Sequence, residues 1–261
     1  MTKDPQAKKH LGQHWLEDQA SLQRICEAGE LDTNDTVVEI GPGKGALTEY
    51  LVQDAKRVIA IEYDNFLANT LLKRFEADNL VVVNEDCLVF DYSSLPAGYK
   101  VIANIPYYLT SNLLRVLSEN PNPPKTIVLL IQQEVAERVA ARPGDMSILA
   151  VTVQYYYEAE LDILVSADKF NPAPKVDSQV VILRRRSKKL FGNIDQQKLF
   201  NIVKAGFSQK RKKIKTSLAT GLGLEKEKVL EYLSKAGVSP DCRPQELSIE
   251  DWFKIYKQIE S

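Results

Sequence analysis

Residues 36–45 read TVVEIGPGKG, and this stretch decides the fold. Thr36–Ile40 is a short apolar run rich in β-branched side chains, which is typical of a buried strand. It leads directly into glycines at alternate positions from Gly41 to Gly45, which allow a sharp turn and let a ligand approach the backbone. The apolar spacing over residues 46–54 then predicts a helix. A buried strand, a glycine turn and a helix together indicate an open α/β sheet that binds its ligand at the strand ends.

The rest of the first 183 residues repeats this alternation of apolar runs and helical patterns. Uniformly apolar strands separated by helices indicate a parallel sheet covered on both faces. Two later runs, Glu160–Val165 and Gln179–Arg184, are joined by a short proline-containing link and should form an antiparallel hairpin at one edge. The predicted fold class is α/β, a class I, Rossmann-like methyltransferase fold with a mostly parallel seven-stranded sheet. The other predicted strands are residues 58–62, 80–84, 100–103 and 126–131.

The pattern changes after Lys189, where only helical periodicities remain. We therefore predict two domains, a catalytic domain over residues 1–189 with an N-terminal arm and a small all-helical domain over residues 190–261. Gly221, Gly223, Gly237 and Pro240 are expected to separate the helices of this second domain. The predicted helices are residues 195–208, 211–220, 225–236 and 249–259.

Composition narrows the function classes. Hydrophobic residues make up 44% and charged residues 26%, which is ordinary for a globular protein. No apolar run reaches the roughly 18 residues that cross a bilayer, and the amino-terminal segment is polar, so we expect a cytoplasmic protein without a membrane partner. The isolated Cys26, Cys87 and Cys242 and only two histidines predict no metal site.

The charge is unevenly distributed. From Arg184 to Lys215 there are twelve Lys or Arg residues and one acid, Asp195, a net charge of +11. Because the whole chain carries −1, the remainder carries −12. A basic segment in an otherwise acidic protein favours binding to a polyanion over a merely solvated helix face.

Polar side chains follow the next three predicted strands. Glu62 ends the second strand and can accept from both hydroxyls of a ribose, and Asp86 after the third can accept from an adenine amino group. Asn104 ends the fourth. The glycine loop alone would suit a nicotinamide cofactor equally well, but its GxGxG spacing departs from the dinucleotide pattern GxGxxG. The strand ends together predict S-adenosylmethionine, with Gly41 and Gly43 against the cofactor.

The tetrapeptide Asn104-Ile105-Pro106-Tyr107 predicts the chemistry of the acceptor. An adenine N6 lone pair is delocalised into the ring, and acceptors for its two amino hydrogens free that lone pair. The Asn104 side-chain oxygen and the Ile105 carbonyl can supply them, with Pro106 stiffening the turn. Tyr107 offers a face for an extruded base, and Phe170 in the loop FNPAPK is predicted to close on the base from the other side.

Six segments together resemble one family, the small-subunit (16S) ribosomal RNA adenine N6,N6-dimethyltransferases. The resemblance spans nearly the whole chain and implies dimethylation of two adjacent adenosines in the 3′-terminal hairpin of 16S rRNA during assembly of the 30S subunit. The segments are KHLGQHWLED (9–18), EIGPGKGALT (39–48), NIPYYLTS (104–111), FNPAPKVDSQV (170–180), GFSQKRKKIKTSL (206–218) and RPQELSIEDW (243–252).

The resemblance also implies roles for individual residues. Its cofactor contacts fall on His14, Leu16, Gly41, Glu62, Asp86 and Asn104, and the family often has Asn where this chain has His14. We expect the protein to act as a monomer. The implied RNA contacts come from the amino-terminal arm at Lys8, Lys9 and His10 and from a basic set, predicted to lie partly on a helix: Arg184, Arg185, Arg186, Lys210, Arg211, Lys212, Lys213 and Lys215.

Three alternatives remain at this point. A related enzyme dimethylates large-subunit rRNA and confers macrolide resistance. A ribosome-assembly binding factor would keep the fold without catalysis. A small-molecule methyltransferase would have no use for the +11 segment, and its activity would be insensitive to salt.

Overall fold

The chain folds into two units in a computed structural model that describes residues 8, 12–209 and 211–260. The sheet unit consists of Met1–Ala136 and Glu158–Arg185, and the helical unit consists of Glu137–Tyr157 and Arg186–Ser261.

A seven-stranded sheet forms the centre of the sheet unit, as predicted. Its strand order is β4-β3-β2-β5-β6-β9-β7, and the five strands from β4 to β6 are parallel. A separate two-stranded ladder joins β1 to β8. The strands are β1 (Trp15–Leu16), β2 (Thr36–Ile40), β3 (Arg57–Ile61), β4 (Leu80–Val83), β5 (Lys100–Asn104), β6 (Thr126–Gln132), β7 (Tyr157–Val165), β8 (Phe170–Asn171) and β9 (Ser178–Arg185).

The last two sheet strands lie together at one edge, which confirms the predicted edge pairing. β9 runs antiparallel to β6, from Thr126 opposite Arg184 to Gln132 opposite Ser178. β7 lies beyond β9 at the edge of the sheet. Strands β2, β3, β5 and β6 are buried along almost their whole length, because helices pack on the sheet and exclude water from its apolar side chains.

The register of the parallel strands brings their carboxyl ends level. Ile40 of β2 is opposite Ile61 of β3, which is opposite Val83 of β4. The backbone N–H of Gly41 donates to the Ile61 carbonyl at 2.9 Å, and the N–H of Glu62 donates to the Val83 carbonyl at 2.9 Å. The residues that follow these strands are therefore neighbours in space.

Side-chain caps fix where several helices begin. Asp18 accepts from the Ser21 N–H before α1, and Asp64 accepts from the Phe66 N–H before α3. Ser147 and Asp195 cap α6 and α7 in the same way. The helices are α1 (Gln19–Ala28), α2 (Thr48–Asp54), α3 (Asn65–Arg74), α4 (Thr110–Glu119), α5 (Gln133–Val139), α6 (Ile148–Tyr156), α7 (Gln196–Phe207), α8 (Ile214–Leu222), α9 (Lys226–Ala236) and α10 (Ile249–Glu260).

The helical unit includes α6, which the predicted boundary at residue 190 placed with the sheet. The rings of Tyr155 and Tyr156 pack on Phe200 of α7, with centroid distances of 5.3 and 6.1 Å. The Tyr156 hydroxyl also donates to the Gln196 side chain at 3.0 Å. Because these aromatic side chains are buried against α7, residues 137–157 belong to the helical unit.

Gly221 lies inside α8 and does not separate two helices as predicted. A Cβ at this position would lie 2.7 Å from the Cα and carbonyl oxygen of Ala205 on α7. The two helices therefore approach more closely here than any larger residue permits. Gly223 and Gly237, with φ of 66° and 68°, end α8 and α9 as predicted.

Among the described residues, the structure has no helix that is long and apolar enough to cross a membrane. It also has no cluster of three or more His, Cys, Asp or Glu side chains arranged to hold a metal ion, within the same described ranges.

Gly221→Ala should lower the free energy of unfolding by ~1–3 kcal/mol, because the new methyl group collides with the backbone of Ala205. In an open helix the same substitution would stabilise by roughly 0.5–1 kcal/mol. Urea denaturation measures the difference, with Thr220→Ala at the exposed neighbouring position of α8 as the control. A Gly221→Ala protein as stable as the wild type would mean that α7 and α8 are not in close contact.

Candidate active site

A cavity of about 390 Å³ lies at the carboxyl ends of the parallel strands, within the sheet unit. It has the size and the mixture of apolar and polar lining expected of a cofactor site. Ten of the predicted site residues line it: His14, Leu16, Gly41, Gly43, Glu62, Asp86, Asn104, Ile105, Pro106 and Tyr107.

The glycine loop turns sharply because three of its residues have positive φ angles. Gly41, Gly43 and Gly45 have φ of 65°, 58° and 83°, a region in which side chains with a Cβ are strained. A Cβ at Gly43 would also lie 3.0 Å from the indole nitrogen of Trp15. The loop therefore presents backbone to the cavity, and the Trp15 ring lies directly against it.

Glu62 is buried at the end of β3, where its carboxylate is held by two backbone amides. Gly43 N–H donates to Oε2 at 3.1 Å, and Asp64 N–H donates to Oε1 at 2.8 Å. Burial raises the pKa of this carboxyl, and the amide hydrogen bonds oppose that rise. The side chain therefore ties the glycine loop to the end of β3 while it lines the cavity.

A second carboxyl, Glu39, lies beneath the glycine loop. It is 1% exposed, and the Thr48 hydroxyl donates to its Oε2 at 2.6 Å. Burial raises the pKa of Glu39 to about 8, helped by the nearby charge of Glu62. The sequence analysis did not single out this residue, because a Glu inside an apolar strand gives no sign of how deeply it is buried.

Asp86 lies in the loop after β4, where its atoms shape the cavity wall. Its Oδ1 accepts from the Leu88 N–H at 2.9 Å, and its backbone carbonyl accepts from Val89 and Phe90. These bonds hold the carboxylate at the cavity, next to the strand end that carries Glu62.

The acceptor tetrapeptide begins where β5 ends. Asn104 is half-buried, and its Nδ2 donates to the His14 carbonyl at 3.5 Å. A short 3₁₀ turn, Tyr107–Leu109, follows Pro106. The Tyr107 hydroxyl shares a 2.7 Å hydrogen bond with Ser178, and burial raises the pKa of Tyr107. The turn thus holds an amide and an aromatic ring against the same cavity.

A contact that the sequence did not reveal joins the amino-terminal segment to the FNPAPK loop. β1 pairs with β8, with Trp15 opposite Asn171 and Leu16 opposite Phe170. Lys169 forms a 2.9 Å salt bridge with Asp18 just beyond the ladder. Two-residue strands lack a readable periodicity, so only the folded chain identifies this pairing.

The structure does not bring Phe170 to the acceptor site as predicted. Its side chain is 4% exposed and packs in the hydrophobic core of the sheet unit with Leu16 and Leu22. The reason is the β1–β8 ladder, which turns Phe170 inward beside Leu16. The prediction that this ring closes on the target base is therefore wrong for this structure.

The described basic residues just before α8, Arg211 to Lys213, lie outside the helix that was predicted to begin at Arg211. Arg211 and Lys212 are exposed there, and Lys213 has extended backbone angles as the N-cap of α8. Lys215 lies within α8, and its ammonium and that of Lys213 contact Asp241 at 2.7 and 2.9 Å. Lys210 lies outside the described residues.

The three predicted arginines of β9 and its end make intramolecular contacts. Arg184 bridges Glu30 and Glu160 at 2.7 and 2.9 Å. Arg185 is the last residue of β9, and Arg186 donates from Nε to the Gln154 carbonyl at 3.0 Å.

In the amino-terminal arm, Lys8 forms a 2.6 Å salt bridge with Asp64, the residue that caps α3. Lys9 and His10 lie outside the described residues.

A model of the family "Ribosomal RNA adenine dimethylase" matches residues 5–261. The chain belongs to this family. It is an rRNA adenine dimethyltransferase, with S-adenosylmethionine as its methyl donor, and the observed sheet is the class I methyltransferase fold.

Proteins named "Ribosomal RNA small subunit methyltransferase A" are similar over almost the whole chain. That of Fusobacterium nucleatum is 38% identical, covering 97% of this chain and 97% of its own. That of Shouchella clausii is 40% identical over 95% of this dimethyltransferase and 88% of its own length.

Two solved structures resemble the dimethyltransferase. A dimethyladenosine transferase from Plasmodium falciparum has a TM-score of 0.80 and 28% identity, covering 93% of this chain and 96% of that one. The 23S rRNA methyltransferase ErmE has a TM-score of 0.77 and 29% identity, covering 95% of this chain and 100% of that one.

Glu39→Gln should remove a pH dependence of stability. The Glu39 carboxyl has an ordinary pKa of 4.5 when unfolded and about 8 when folded, so the folded state holds the extra proton between these values. Its stabilising contribution is complete below the lower value and is lost as pH rises through the higher one, with a slope of up to ~1.4 kcal/mol per pH unit.

Urea denaturation of the wild type should therefore show this loss of stability between about pH 5 and about pH 8. The uncharged amide of Glu39→Gln should flatten it, while the exposed control Glu76→Gln should leave it in place. Parallel pH curves for wild type and Glu39→Gln would show that Glu39 is ionised in the folded protein.

Proposed function

We propose that this dimethyltransferase methylates N6 of two adjacent adenosines in the 3′-terminal hairpin of 16S rRNA, during assembly of the 30S subunit in the cytoplasm, and that it acts as a monomer. The observation that carries the proposal is the position of Asn104-Ile105-Pro106-Tyr107 at the cavity. The small-subunit assignment rests on relatives of that name at 38–40% identity.

The residues present fit S-adenosylmethionine. This cofactor supplies a methyl group on a positively charged sulfur, which makes the sulfur a good leaving group. The Glu62 carboxylate would accept from the ribose hydroxyls, and Asp86 would accept from the adenine amino group. Leu16, Asn104 and the main chain at His14 would complete the cofactor contacts that the family resemblance implies.

The glycine loop would hold the amino-acid end of the cofactor. Gly41 and Gly43 place no side chain in the turn. The positive φ angles of both residues favour glycine at these positions. The Lys44 ammonium lies 4.2 Å from the centre of the Trp15 ring, so the wall beside Gly43 carries a positive charge. A positive charge at that wall suits the carboxylate of a methionine moiety.

The acceptor turn would activate and place the adenine. Because Asn104 donates from Nδ2 to the His14 carbonyl, its Oδ1 is the atom oriented to accept an amino hydrogen. The Ile105 carbonyl would accept the second, which frees the N6 lone pair to attack. Tyr107 would hold the base by stacking, with its ring anchored through the hydroxyl to Ser178. Positioning and electrostatics then carry most of the rate.

The basic turn between α7 and α8 would contact rRNA phosphates. Arg211 and Lys212 are exposed, and Lys213 and Lys215 share a single carboxylate, Asp241. Two cations on one anion leave a net positive charge. Such contacts supply affinity and register without reading bases, and they weaken steeply as salt rises.

An enzyme that dimethylates large-subunit rRNA is the second candidate. The 23S rRNA methyltransferase ErmE resembles 95% of this chain. Its identity of 29% is below the 36–40% of the small-subunit relatives.

Methyl transfer from labelled S-adenosylmethionine separates the two candidates. We expect label in unmethylated 30S subunits and none in 50S subunits, with naked 16S rRNA as a further control. Reverse-transcription arrest should then map the modified nucleotides to two adjacent adenosines near the 3′ end. Label confined to large-subunit rRNA would overturn the small-subunit proposal.

The same assay tests whether binding and catalysis are separate. Asn104→Ala removes the acceptor for an amino hydrogen, so methylation should fall by at least about a hundredfold, in the range seen when a single oxyanion-hole donor is lost. Binding to 30S subunits should stay within a few-fold, because phosphate contacts supply most of the affinity. Loss of binding together with activity would show that Asn104 does not act on the target base.

A further inference from the structure

His14 contacts three parts of the acceptor site. Its backbone carbonyl accepts from the Asn104 side chain at 3.5 Å, its ring stacks on Tyr107, and its Nδ1 lies 2.7 Å from the Pro172 carbonyl oxygen. Asn104 ends β5, Tyr107 belongs to the turn that follows it, and Pro172 belongs to the loop after β8. One residue thus joins the turn to the loop.

The ring stack fixes which face of Tyr107 is available. The His14 and Tyr107 rings are inclined by 17°, with centroids 6.0 Å apart. This distance lies within the range of about 4.5–7 Å for offset aromatic pairs, so the two rings pack on each other without room for a base between them. An adenine can therefore stack only on the face of Tyr107 turned away from His14.

The hydrogen bond to Pro172 fixes the orientation of the imidazole. A carbonyl oxygen only accepts, so Nδ1 carries the hydrogen and donates it. Because Pro172 has no backbone N–H, its carbonyl oxygen is the backbone atom through which it can form a hydrogen bond. The bond holds the His14 ring at a set angle, and that angle sets the tilt of the Tyr107 ring.

These contacts hold the Tyr107 side chain at its hydroxyl and at one face of its ring. Its hydroxyl is fixed by Ser178, which is fully buried at the start of β9, and its face is fixed by His14. Phe170, the ring expected to support the base from the loop, is in the core and cannot take this part. The bracing of the acceptor ring therefore comes from the amino-terminal segment.

We propose that His14 is a positioning residue of the methyl-acceptor site, which sets the Tyr107 ring and links the acceptor turn to the loop after β8. The proposal rests on the proposed function, because it concerns the adenine that Tyr107 holds. It differs from the family resemblance, which gives His14 a cofactor contact only. The expected consequence of losing the imidazole is slower methyl transfer with little change in cofactor affinity.

Three substitutions separate the two interactions of the ring. His14→Phe keeps a ring for Tyr107 and loses the donor to Pro172. His14→Asn, the residue that the family often has, keeps a donor and loses the ring. His14→Ala loses both.

We expect His14→Ala to lower kcat for 30S methylation by about tenfold to a hundredfold, with His14→Phe and His14→Asn each lowering it by about threefold to tenfold. The dissociation constant for S-adenosylhomocysteine, measured by calorimetry, should stay within about threefold of wild type in all three, because the imidazole acts on Tyr107 and Pro172 of the acceptor site. Gln23→Ala, an exposed position on α1, serves as the control for both measurements.

The outcomes distinguish the proposals. A wild-type protein that methylates no small-subunit rRNA would overturn the proposed function itself. Normal wild-type activity, with a weakened cofactor affinity and an unchanged kcat in His14→Ala, would overturn the positioning role and leave His14 as a cofactor contact. Calorimetric binding in each variant also verifies that the variant has folded.

Discussion

The backbone N–H groups of Gly43 and Asp64 converge on the carboxylate of Glu62, at 3.1 and 2.8 Å. A carboxylate that is 5% exposed is costly to bury unless such donors satisfy it. The glycine loop and the first turn of α3 are thereby fixed to one side chain. The two hydrogen bonds place the loop, and with it the cofactor wall, at the end of the parallel sheet.

The acceptor side of the cavity is assembled from segments far apart in the chain. β1 and β8 pair across more than 150 positions, and His14 and Ser178 hold the Tyr107 ring from two sides. The amino-terminal segment therefore lines the cofactor cavity and also supports the ring on which the base would stack. Cofactor and acceptor sites share this one segment, so its geometry matters to both halves of the reaction.

Much of the sheet and the cofactor wall could be predicted from the sequence, because both depend on local patterns. Apolar runs with Glu62, Asp86 and Asn104 at or just after their ends predicted the strands and their polar ends, and parallel strands bring such ends together. The rest depended on long-range packing. Phe170 is buried by its pairing with Leu16, and α6 joins the helical unit through ring contacts to α7.

The basic turn shows the limit of sequence periodicity. The helical periodicity of this part of the chain predicted a helix from Arg211. The structure begins α8 at Ile214, which is fully buried, and Asp241 holds Lys213 and Lys215 at its start. The helix thus begins three residues later than the periodicity predicted, at a buried isoleucine flanked by two salt bridges.

The affinity for S-adenosylmethionine of Glu62→Gln, measured by calorimetry beside wild type and the exposed control Glu49→Gln, tests this account most directly. The amide keeps the shape but removes the charge and one acceptor, and hydrogen bonds to charged groups contribute ~1.5–3 kcal/mol. We predict at least about a tenfold higher dissociation constant for Glu62→Gln and no change for Glu49→Gln. An unchanged dissociation constant in Glu62→Gln would mean that the cofactor does not bind at this strand end.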